Sequence, residues 1–163
     1  MKYYLAYGSN LNKEQMAHRC QGAEPVCSYI MMNYQLVFRR GYLTIEPKDG
    51  GIVPCGVWKI SAQDERSLDR YEGFPRFYRK EHFPAMVPDP EELTGKLVTA
   101  MAYVMQDGHP LQAPTDYYFH TVLKGYREFG LDPAPLIDAY ERAKWPEDYT
   151  TIPTTKDGRK SAF

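Results

Sequence analysis

The sequence contains few of the residues on which disulfide frameworks and metal sites depend. Its three cysteines, Cys20, Cys27 and Cys55, form no C-x-x-C pair, and its four histidines are scattered without metal-ligand spacing. We therefore expect reduced thiols and no metal ion. Cys55 has two interpretations, a nucleophile paired with a distant histidine or a small buried apolar residue, and a single cysteine on a strand favours the second.

The chain also lacks an excess of charge and a long hydrophobic run. Its 20 basic and 21 acidic residues nearly cancel, so the clustered positive charge typical of nucleic-acid-binding proteins is missing. No segment has the length and apolarity of a membrane span, and the N-terminus shows no signal-peptide pattern. With 163 residues, 43% of them hydrophobic, the chain is predicted to be one cytoplasmic domain without a nucleic-acid or membrane partner.

Residues that favour strands dominate the first two thirds of the chain. Strands are predicted at residues 2–7, 26–32, 34–39, 42–46, 53–60, 77–86 and 96–105. Turn residues at 48–51 predict a turn, and the proline-rich segment 87–95 predicts a loop. Pro54 indicates an edge strand or the start of a strand, because proline donates no ladder hydrogen bond.

Four helices are predicted from capping residues and apolar spacing, at residues 12–20, 61–73, 115–129 and 133–144. Gly125 lies inside the third helix, where glycine costs about 1 kcal/mol relative to alanine, so we expect a close neighbour there, with the sheet favoured over a ligand. The pattern indicates an α+β fold with a small mixed, mainly antiparallel, barrel-like sheet and surrounding helices. The domain is predicted at residues 1–150, with a polar, loosely ordered C-terminal tail at 151–163.

The stretch AYGSNL, residues 6–11, joins the first predicted strand to the first helix. Backbone N–H groups at a helix start favour negative charge, so an anion or an oxyanion would fit there. Gly8 permits a close backbone approach, and Ser9 and Asn10 add side-chain donors. Such residues are also common in purely structural turns, so this pattern leaves both interpretations open.

Glu72 is the second candidate, in the segment LDRYEGFPRFY. It stands four residues after Leu68 and therefore shares a helix face that is expected to be buried. Burial and a position at the helix C-terminus both raise the pKa of a carboxyl group, which suits it to exchange a proton near neutral pH. The alternative is a solvated glutamate paired with one of three nearby arginines, Arg70, Arg76 or Arg79.

The chain resembles the γ-glutamylcyclotransferase family, which also includes AIG2-like and butirosin-pathway cyclotransferases. The resemblance is carried by four segments in this order: AYGSNL, GVWKIS, SLDRYEGFPRFY and YFHTVLKGYREFGLD. It implies a cavity beside the YGSN turn, whose backbone amides would hold a γ-glutamyl group, with Glu72 as the general acid/base. The substrate-binding residues implied by the resemblance are Tyr7, Gly8, Ser9, Asn10, Leu11, Tyr78, Tyr103 and Tyr118.

The activity that this resemblance implies is cyclisation of a small γ-glutamyl amide to 5-oxoproline, with release of an amino acid or amine and no cofactor. Two alternatives stay open. The substrate could be a γ-glutamyl-lysine-type amine or a γ-glutamylated natural product, or the chain could be a non-catalytic binding protein with the same fold. A cationic subsite for the carboxylate of a leaving amino acid would favour amino-acid substrates over amines.

Overall fold

The computed structural model describes the backbone of residues 1–150 and the side chains of residues 1–148. Its strands are β1 (Lys2–Ala6), β2 (Glu24–Arg39), β3 (Tyr42–Ile60), β4 (Tyr78–Asp89) and β5 (Glu92–Met105). Its helices are a 3-10 turn (Ser9–Leu11), α1 (Lys13–Arg19), α2 (Ala62–Glu72), α3 (Asp116–Glu128), α4 (Ala134–Lys144) and α5 (Pro146–Thr150). The predicted tail at 151–163 lies outside the described residues.

The five strands form one sheet in the order β2-β3-β1-β5-β4. Neighbouring strands are antiparallel except for β1 and β5, which are parallel. The two outer strands approach each other, since the Cys27 thiol donates to the carbonyl of Met86 at 3.8 Å and the rings of Tyr34 and Phe83 lie 5.3 Å apart. These contacts curl the sheet toward a barrel. The predicted mixed, mainly antiparallel α+β fold is confirmed.

The strands are longer than the sequence pattern predicted. The turn predicted at residues 48–51 is wrong, because these residues continue β3 and stand opposite Asn33 in an irregular part of the β2–β3 ladder. Gly50 has a φ of +73° there, and its N–H donates to the Asn33 side chain at 3.1 Å. The loop predicted at 87–95 is mostly strand, with β4 ending at Asp89 and β5 beginning at Glu92.

Prolines fit these strands because each lies where one side of the ladder is open. Pro84 and Pro88 lie on β4, an outer strand. Pro54 lies within the inner strand β3, but β1 pairs only with residues 56–60, so at Pro54 the ladder has β2 alone as its partner. The strand is therefore locally an edge, as this proline indicated.

Capping and burial in the helices follow the sequence closely. Ser61 and Asp64 form a reciprocal capping box at the start of α2, and Gly73 ends the helix with a φ of +64°. On α4, Leu136 is fully buried whereas Ile137 is 42% exposed, so the packed face of this helix includes Leu136 and not its neighbour. No helix within residues 1–150 has the length and apolar character needed to cross a membrane.

The cysteines are free thiols, as expected. Cys20 and Cys55 are buried in the core, while Cys27 is half-buried on the outer strand β2. Burial raises the pKa of the Cys55 thiol to about 12, so at neutral pH it is a protonated apolar side chain rather than a nucleophile.

Candidate active site

A cavity of about 300 Å³ opens where β1 ends, beside the C-terminal end of α2. Its walls include most of the residues that the sequence singled out: Tyr7, Gly8, Ser9, Asn10, Glu72, Tyr78, Tyr103 and Tyr118. They also include residues that the sequence analysis did not assign: Tyr4, Tyr42, Leu43, Arg70, Tyr71, Gly73 and Phe77. The structure thus brings together two sequence segments that lie more than 60 residues apart, the YGSN turn and the end of α2.

The residues of the YGSNL stretch, called here the 7–11 loop, are held from behind by helix α3. A Cβ on Gly125 would come within 2.5 Å of the backbone of Leu11 and Asn12, so the absence of a side chain lets α3 lie directly against the loop. The close neighbour predicted for Gly125 is therefore the loop, and the preference for the sheet was wrong. Leu11 is fully buried in the core and does not line the cavity, unlike the rest of the loop.

The backbone N–H groups of the loop divide into two sets. Those of Leu11 and Asn12 donate within the turn, to the carbonyls of Gly8 and Ser9, at 3.1 Å each. Within residues 1–150, no hydrogen bond uses the backbone N–H of Gly8, Ser9 or Asn10. Because these three residues line the cavity, their amides are available to an anion bound there.

Glu72 lies at the last position of α2, with Leu68 fully buried one turn before it. Its Oε1 accepts a hydrogen bond from the side-chain amide of Asn10 at 3.0 Å. None of the ion pairs formed by residues 1–148 includes Glu72. The ion pair with Arg70, Arg76 or Arg79 that the alternative required is therefore wrong, and Arg79 pairs instead with Glu81 at 2.9 Å. Glu72 itself is half-buried.

The carboxyl group of Glu72 titrates close to neutral pH. Burial raises the pKa of Glu72 to about 7, although the charge of Arg19 and the hydrogen bond from Asn10 act in the opposite direction. A carboxyl group with this pKa is half ionised at neutral pH and can both take up and release a proton. This is the proton-transfer property that the sequence pattern indicated.

The tyrosines of the cavity differ in whether their hydroxyl protons are already used. Tyr7 donates to the carbonyl of Tyr103, and Tyr78 donates to the carbonyl of Leu43 at 2.7 Å. Tyr118 instead accepts from the Leu43 N–H at 3.2 Å, and no acceptor within the described residues takes its proton. Burial raises the pKa of Tyr118 above its ordinary value, so its hydroxyl stays protonated and is a free donor beside the loop.

Tyr103 is tied to a different carboxylate. Its hydroxyl donates to Asp69 on α2 at 2.6 Å, so its proton is already used. The sequence analysis had no signal for this contact, because Asp69 and Tyr103 are distant in sequence and no repeated pattern links them. It also gave no reason to separate Tyr4, which contacts Asn10 at 2.9 Å, from the other tyrosines.

The described part of the chain contains no group of three or more His, Cys, Asp or Glu residues that could hold a metal ion. Among the described residues, two charged side chains line the cavity, Glu72 and Arg70. Its remaining polar groups are hydroxyls, amides and backbone atoms. Such a lining suits a small polar ligand that is bound by hydrogen bonds and that exchanges a proton with Glu72.

Comparison with known proteins gives consistent matches. Residues 4–120 match the model of the family described as "Gamma-glutamyl cyclotransferase, AIG2-like". The chain is 27% identical over 160 residues to human γ-glutamylcyclotransferase, covering 90% of this chain and 80% of the human protein. A solved structure named "Gamma-glutamyl cyclotransferase" is similar at 26% identity with a TM-score of 0.65, covering 98% of this chain and 93% of that chain. A mouse AIG2-like protein, at 20% identity and a TM-score of 0.55, shares the fold over 68% of this chain and 80% of its own.

Proposed function

Because the chain belongs to the gamma-glutamyl cyclotransferase, AIG2-like family, we propose that it cyclises a γ-glutamyl amide to 5-oxoproline and releases the amine. The observation that carries this proposal is the position of Glu72. Its carboxyl group lines the same cavity as the free amides of the 7–11 loop and has a pKa of about 7. A proton acceptor and a set of oxyanion donors thus face the same space, which is what an internal aminolysis requires.

In the proposed reaction, the substrate supplies its own nucleophile. Ionised Glu72 takes a proton from the α-ammonium group of the γ-glutamyl moiety, and the freed amine attacks the γ-carbonyl carbon. A new C–N bond closes the five-membered ring, and the carbonyl oxygen becomes an oxyanion. Protonated Glu72 then donates its proton to the leaving nitrogen as the original amide bond breaks. The ring nitrogen still carries one extra proton, which the carboxylate takes up and passes to the released amine, so that the lactam is neutral and the amine leaves as an ammonium ion. The carboxylate is restored, and no covalent enzyme intermediate forms.

The oxyanion is assigned to the 7–11 loop and Tyr118. The backbone N–H groups of Gly8, Ser9 and Asn10 are unused within residues 1–150, and the Tyr118 hydroxyl has a free proton. Tyr118 also lies close to the loop, because its hydroxyl oxygen would be 3.2 Å from a Cβ on Gly8. Donors fixed in this way stabilise developing charge without reorganisation, which is worth about 10²–10³-fold in rate for one donor.

The class of leaving group is inferred from Arg70. This residue lines the cavity, is exposed, and makes no side-chain hydrogen bond or ion pair with the described residues. A free guanidinium at the cavity supports a leaving group that carries a carboxylate, that is, an amino acid rather than a simple amine. We therefore favour γ-glutamyl-amino acids over γ-glutamyl-lysine-type amines as substrates.

The experiment is to incubate the protein with γ-glutamyl-alanine and with γ-glutamyl-ethylamide and to measure 5-oxoproline by mass spectrometry. We expect turnover of both, with the alanine compound preferred, and a loss of at least ~10²-fold in Glu72→Gln, which keeps the side-chain volume but cannot exchange a proton. Binding of both compounds without 5-oxoproline would indicate the non-catalytic alternative. Near-native turnover by Glu72→Gln would remove this residue from the mechanism.

A further inference from the structure

The side chain of Asn10 connects Glu72 to a cation that lies outside the cavity lining. Its amide nitrogen donates to Glu72 Oε1 at 3.0 Å and to the Tyr4 hydroxyl at 2.9 Å. Its amide oxygen accepts from Nη1 of Arg19 at 2.9 Å. All of the polar atoms of this buried side chain therefore have partners, and the three partners come from three different elements of the fold.

Arg19 determines the orientation of the Asn10 side-chain amide, that is, which of its oxygen and nitrogen atoms faces Glu72. A guanidinium group only donates hydrogen bonds, so the atom of Asn10 that faces it must be the oxygen. With the amide turned over, its NH₂ group would face the guanidinium and its oxygen would face the Glu72 carboxylate, and both contacts would be repulsive. In the observed orientation the NH₂ group faces Glu72.

Arg19 is itself fixed by contacts that do not involve a carboxylate. Its guanidinium lies 3.6 Å from the centroid of the Tyr71 ring, and Nη2 donates to Gln15 Oε1 at 2.5 Å, one turn earlier on α1. No ion pair within residues 1–148 includes it. Its positive charge is therefore not neutralised by a direct partner within the described side chains, and its one hydrogen-bonded link to Glu72 runs through Asn10.

We propose that Arg19 is a positioning residue, whose guanidinium fixes the Asn10 amide so that the NH₂ group, and not the oxygen, faces Glu72. A donor at this place stabilises the ionised carboxylate, which is the form that accepts a proton from the substrate. Without Arg19 the amide can turn over and present its oxygen to the carboxyl proton, which stabilises the acid form instead. Arg19 thus maintains the base form of Glu72 at neutral pH without touching the substrate.

The other ionisable groups that face Glu72 do not compete with this effect. Five of them are tyrosines from four elements and the segment after β1: Tyr4, Tyr7, Tyr78, Tyr103 and Tyr118. Tyr71 and Arg70, on α2 itself, also line the cavity, and neither is among the groups that shift the pKa of Glu72. Burial raises the pKa of the hydroxyl group of each of these five tyrosines. All five are therefore neutral between about pH 5 and pH 9, the range in which Glu72 titrates. Among these groups and Arg19, the only charge that shifts the pKa of Glu72 is that of Arg19.

The direct test is a ¹³C NMR titration of the Glu72 carboxyl carbon in substrate-free protein, with the resonance assigned by its loss in Glu72→Gln. We expect Arg19→Met to raise the titration midpoint by about one pH unit and Arg19→Lys, which keeps a charged donor, to restore most of it. The matched control is Arg66→Met on α2, an exposed arginine whose side chain contacts only Gln63, at 3.4 Å, and it should leave the midpoint unchanged. An unchanged midpoint in folded Arg19→Met would overturn the proposal.

A double variant tests whether the effect passes through Asn10. Asn10→Ala alone should raise the midpoint, and adding Arg19→Met should then shift it less than in the wild-type background. Fully additive shifts would show that Arg19 acts on Glu72 by charge alone, which would contradict the positioning role. Should Arg19→Met fail to fold, Arg19→Lys and Arg19→Gln supply the same comparison, because only lysine retains the obligate donor.

The kinetic readout rests on the proposed function. The acid limb of kcat/KM should move to higher pH in Arg19→Met, giving about a fivefold loss at pH 7 that largely recovers at pH 9. Arg66→Met should follow the wild-type profile. A loss that is equal at every pH would indicate a merely structural role. The NMR titration needs no turnover, so a protein without cyclotransferase activity would refute the proposed function while leaving the role of Arg19 still testable.

Discussion

Two carboxylates on α2, three residues apart, have opposite surroundings. Asp69 lies 2.8 Å from the ammonium group of Lys80 and accepts from the Tyr103 hydroxyl at 2.6 Å. Glu72 has one hydrogen-bond donor, Asn10, and no ion pair within the described side chains. Asp69 is not part of the cavity lining, whereas Glu72 is.

The difference shows how neighbouring groups give two carboxylates of one helix different electrostatic environments. Lys80 neutralises Asp69 and is shared with Glu65 at 2.9 Å, so Asp69 serves to join α2 to β4 and β5. Glu72 loses part of its hydration without gaining a cation in contact, and the pKa rises to about 7. Helix α2 positions both carboxylates, and the groups that surround each of them determine its electrostatic environment.

The largest expected effect comes from disturbing what faces Glu72 while leaving the partners of Asp69 in place. In Gly8→Val the new Cβ would lie 3.2 Å from the Tyr118 hydroxyl and 3.7 Å from the Leu43 Cβ. We expect kcat/KM to fall by at least ~10²-fold, because the loop donors lose their alignment with the developing charge. The free energy of unfolding should fall by only ~1–3 kcal/mol, measured by urea titration of the same preparation.

Gly8→Ala is the graded control, with a smaller loss because one methyl group can be accommodated by a shift of the Tyr118 ring end. The close approach of the Tyr118 hydroxyl, 3.2 Å from the position of a Cβ, limits the space for a side chain at Gly8. A Gly8→Val protein with full activity, or one that does not fold at all, would reduce the loop to a structural turn.

A smaller loss of kcat/KM should distinguish Tyr118 from Tyr78, the two tyrosines whose hydroxyl groups contact the backbone of Leu43. Tyr118→Phe removes the free hydroxyl donor beside the loop and should lower kcat/KM by ~10–10²-fold. Tyr78→Phe removes a hydroxyl whose proton already goes to the Leu43 carbonyl, so it should affect activity less. The measurement is 5-oxoproline release by both variants with γ-glutamyl-alanine. Equal losses in the two variants would contradict the assignment of Tyr118 to the oxyanion.

Neutralising each of the two carboxylates should change the free energy of unfolding in opposite directions. Asp69→Asn should lower the free energy of unfolding at pH 7 by ~1–2 kcal/mol, because a hydrogen-bonded ion pair is lost. Glu72→Gln should raise it at pH 8 by ~1–2 kcal/mol, a value reduced from the full pKa shift because the side chain is partly exposed. The measurement is urea unfolding of both variants and the wild type.

The pH dependence of the Glu72→Gln effect follows from the sign of its pKa shift. The pKa in the folded protein, about 7, lies above the ordinary value of 4.5, so folding favours the protonated carboxyl group. The contribution of Glu72 to stability is therefore fully present below pH 4.5 and is lost as the pH rises to about 7. The advantage of glutamine should vanish at acid pH, and an advantage that persisted there would contradict the raised pKa.

Removal of metal ions is expected to have no effect on activity, which makes it the smallest of the expected effects. Within the described residues no carboxylate, histidine or cysteine cluster could hold a metal, so exhaustive chelation should leave 5-oxoproline release unchanged. Activity that disappears with the chelator and returns with zinc would require a different reaction class and would assign both carboxylates new roles.

The sequence predicted those parts of the site that depend on local rules. The position of Glu72 followed from its spacing to Leu68 and from Gly73, which ends α2, and the loop followed from the strand-to-helix change at Gly8. The fold class and the caps of the main helices were also predicted. These features depend on residues that are close in sequence, where periodicity and capping chemistry apply.

The sequence could not predict the contacts that define the environment of each carboxylate. Asp69 meets Tyr103, and Glu72 meets Asn10, across separations of 34 and 62 residues. The turn predicted at 48–51 was wrong for a related reason, since pairing with β2 overrode the local turn preference. Local sequence also gave no sign that Ser9 and Asn10 would be buried, because their burial depends on α3, which packs against the loop from more than 100 residues away in sequence.

The most direct measurement of the central claim is the ¹³C titration of Glu72 in the wild-type protein, without substrate. The claim is that this carboxyl group, desolvated and without a cation in contact, exchanges its proton near neutral pH. We predict a titration midpoint at pH about 7 for the resonance that disappears in Glu72→Gln. A midpoint near 4.5, the ordinary value for a glutamate, would show that Glu72 is solvated and would contradict its role as the acid/base.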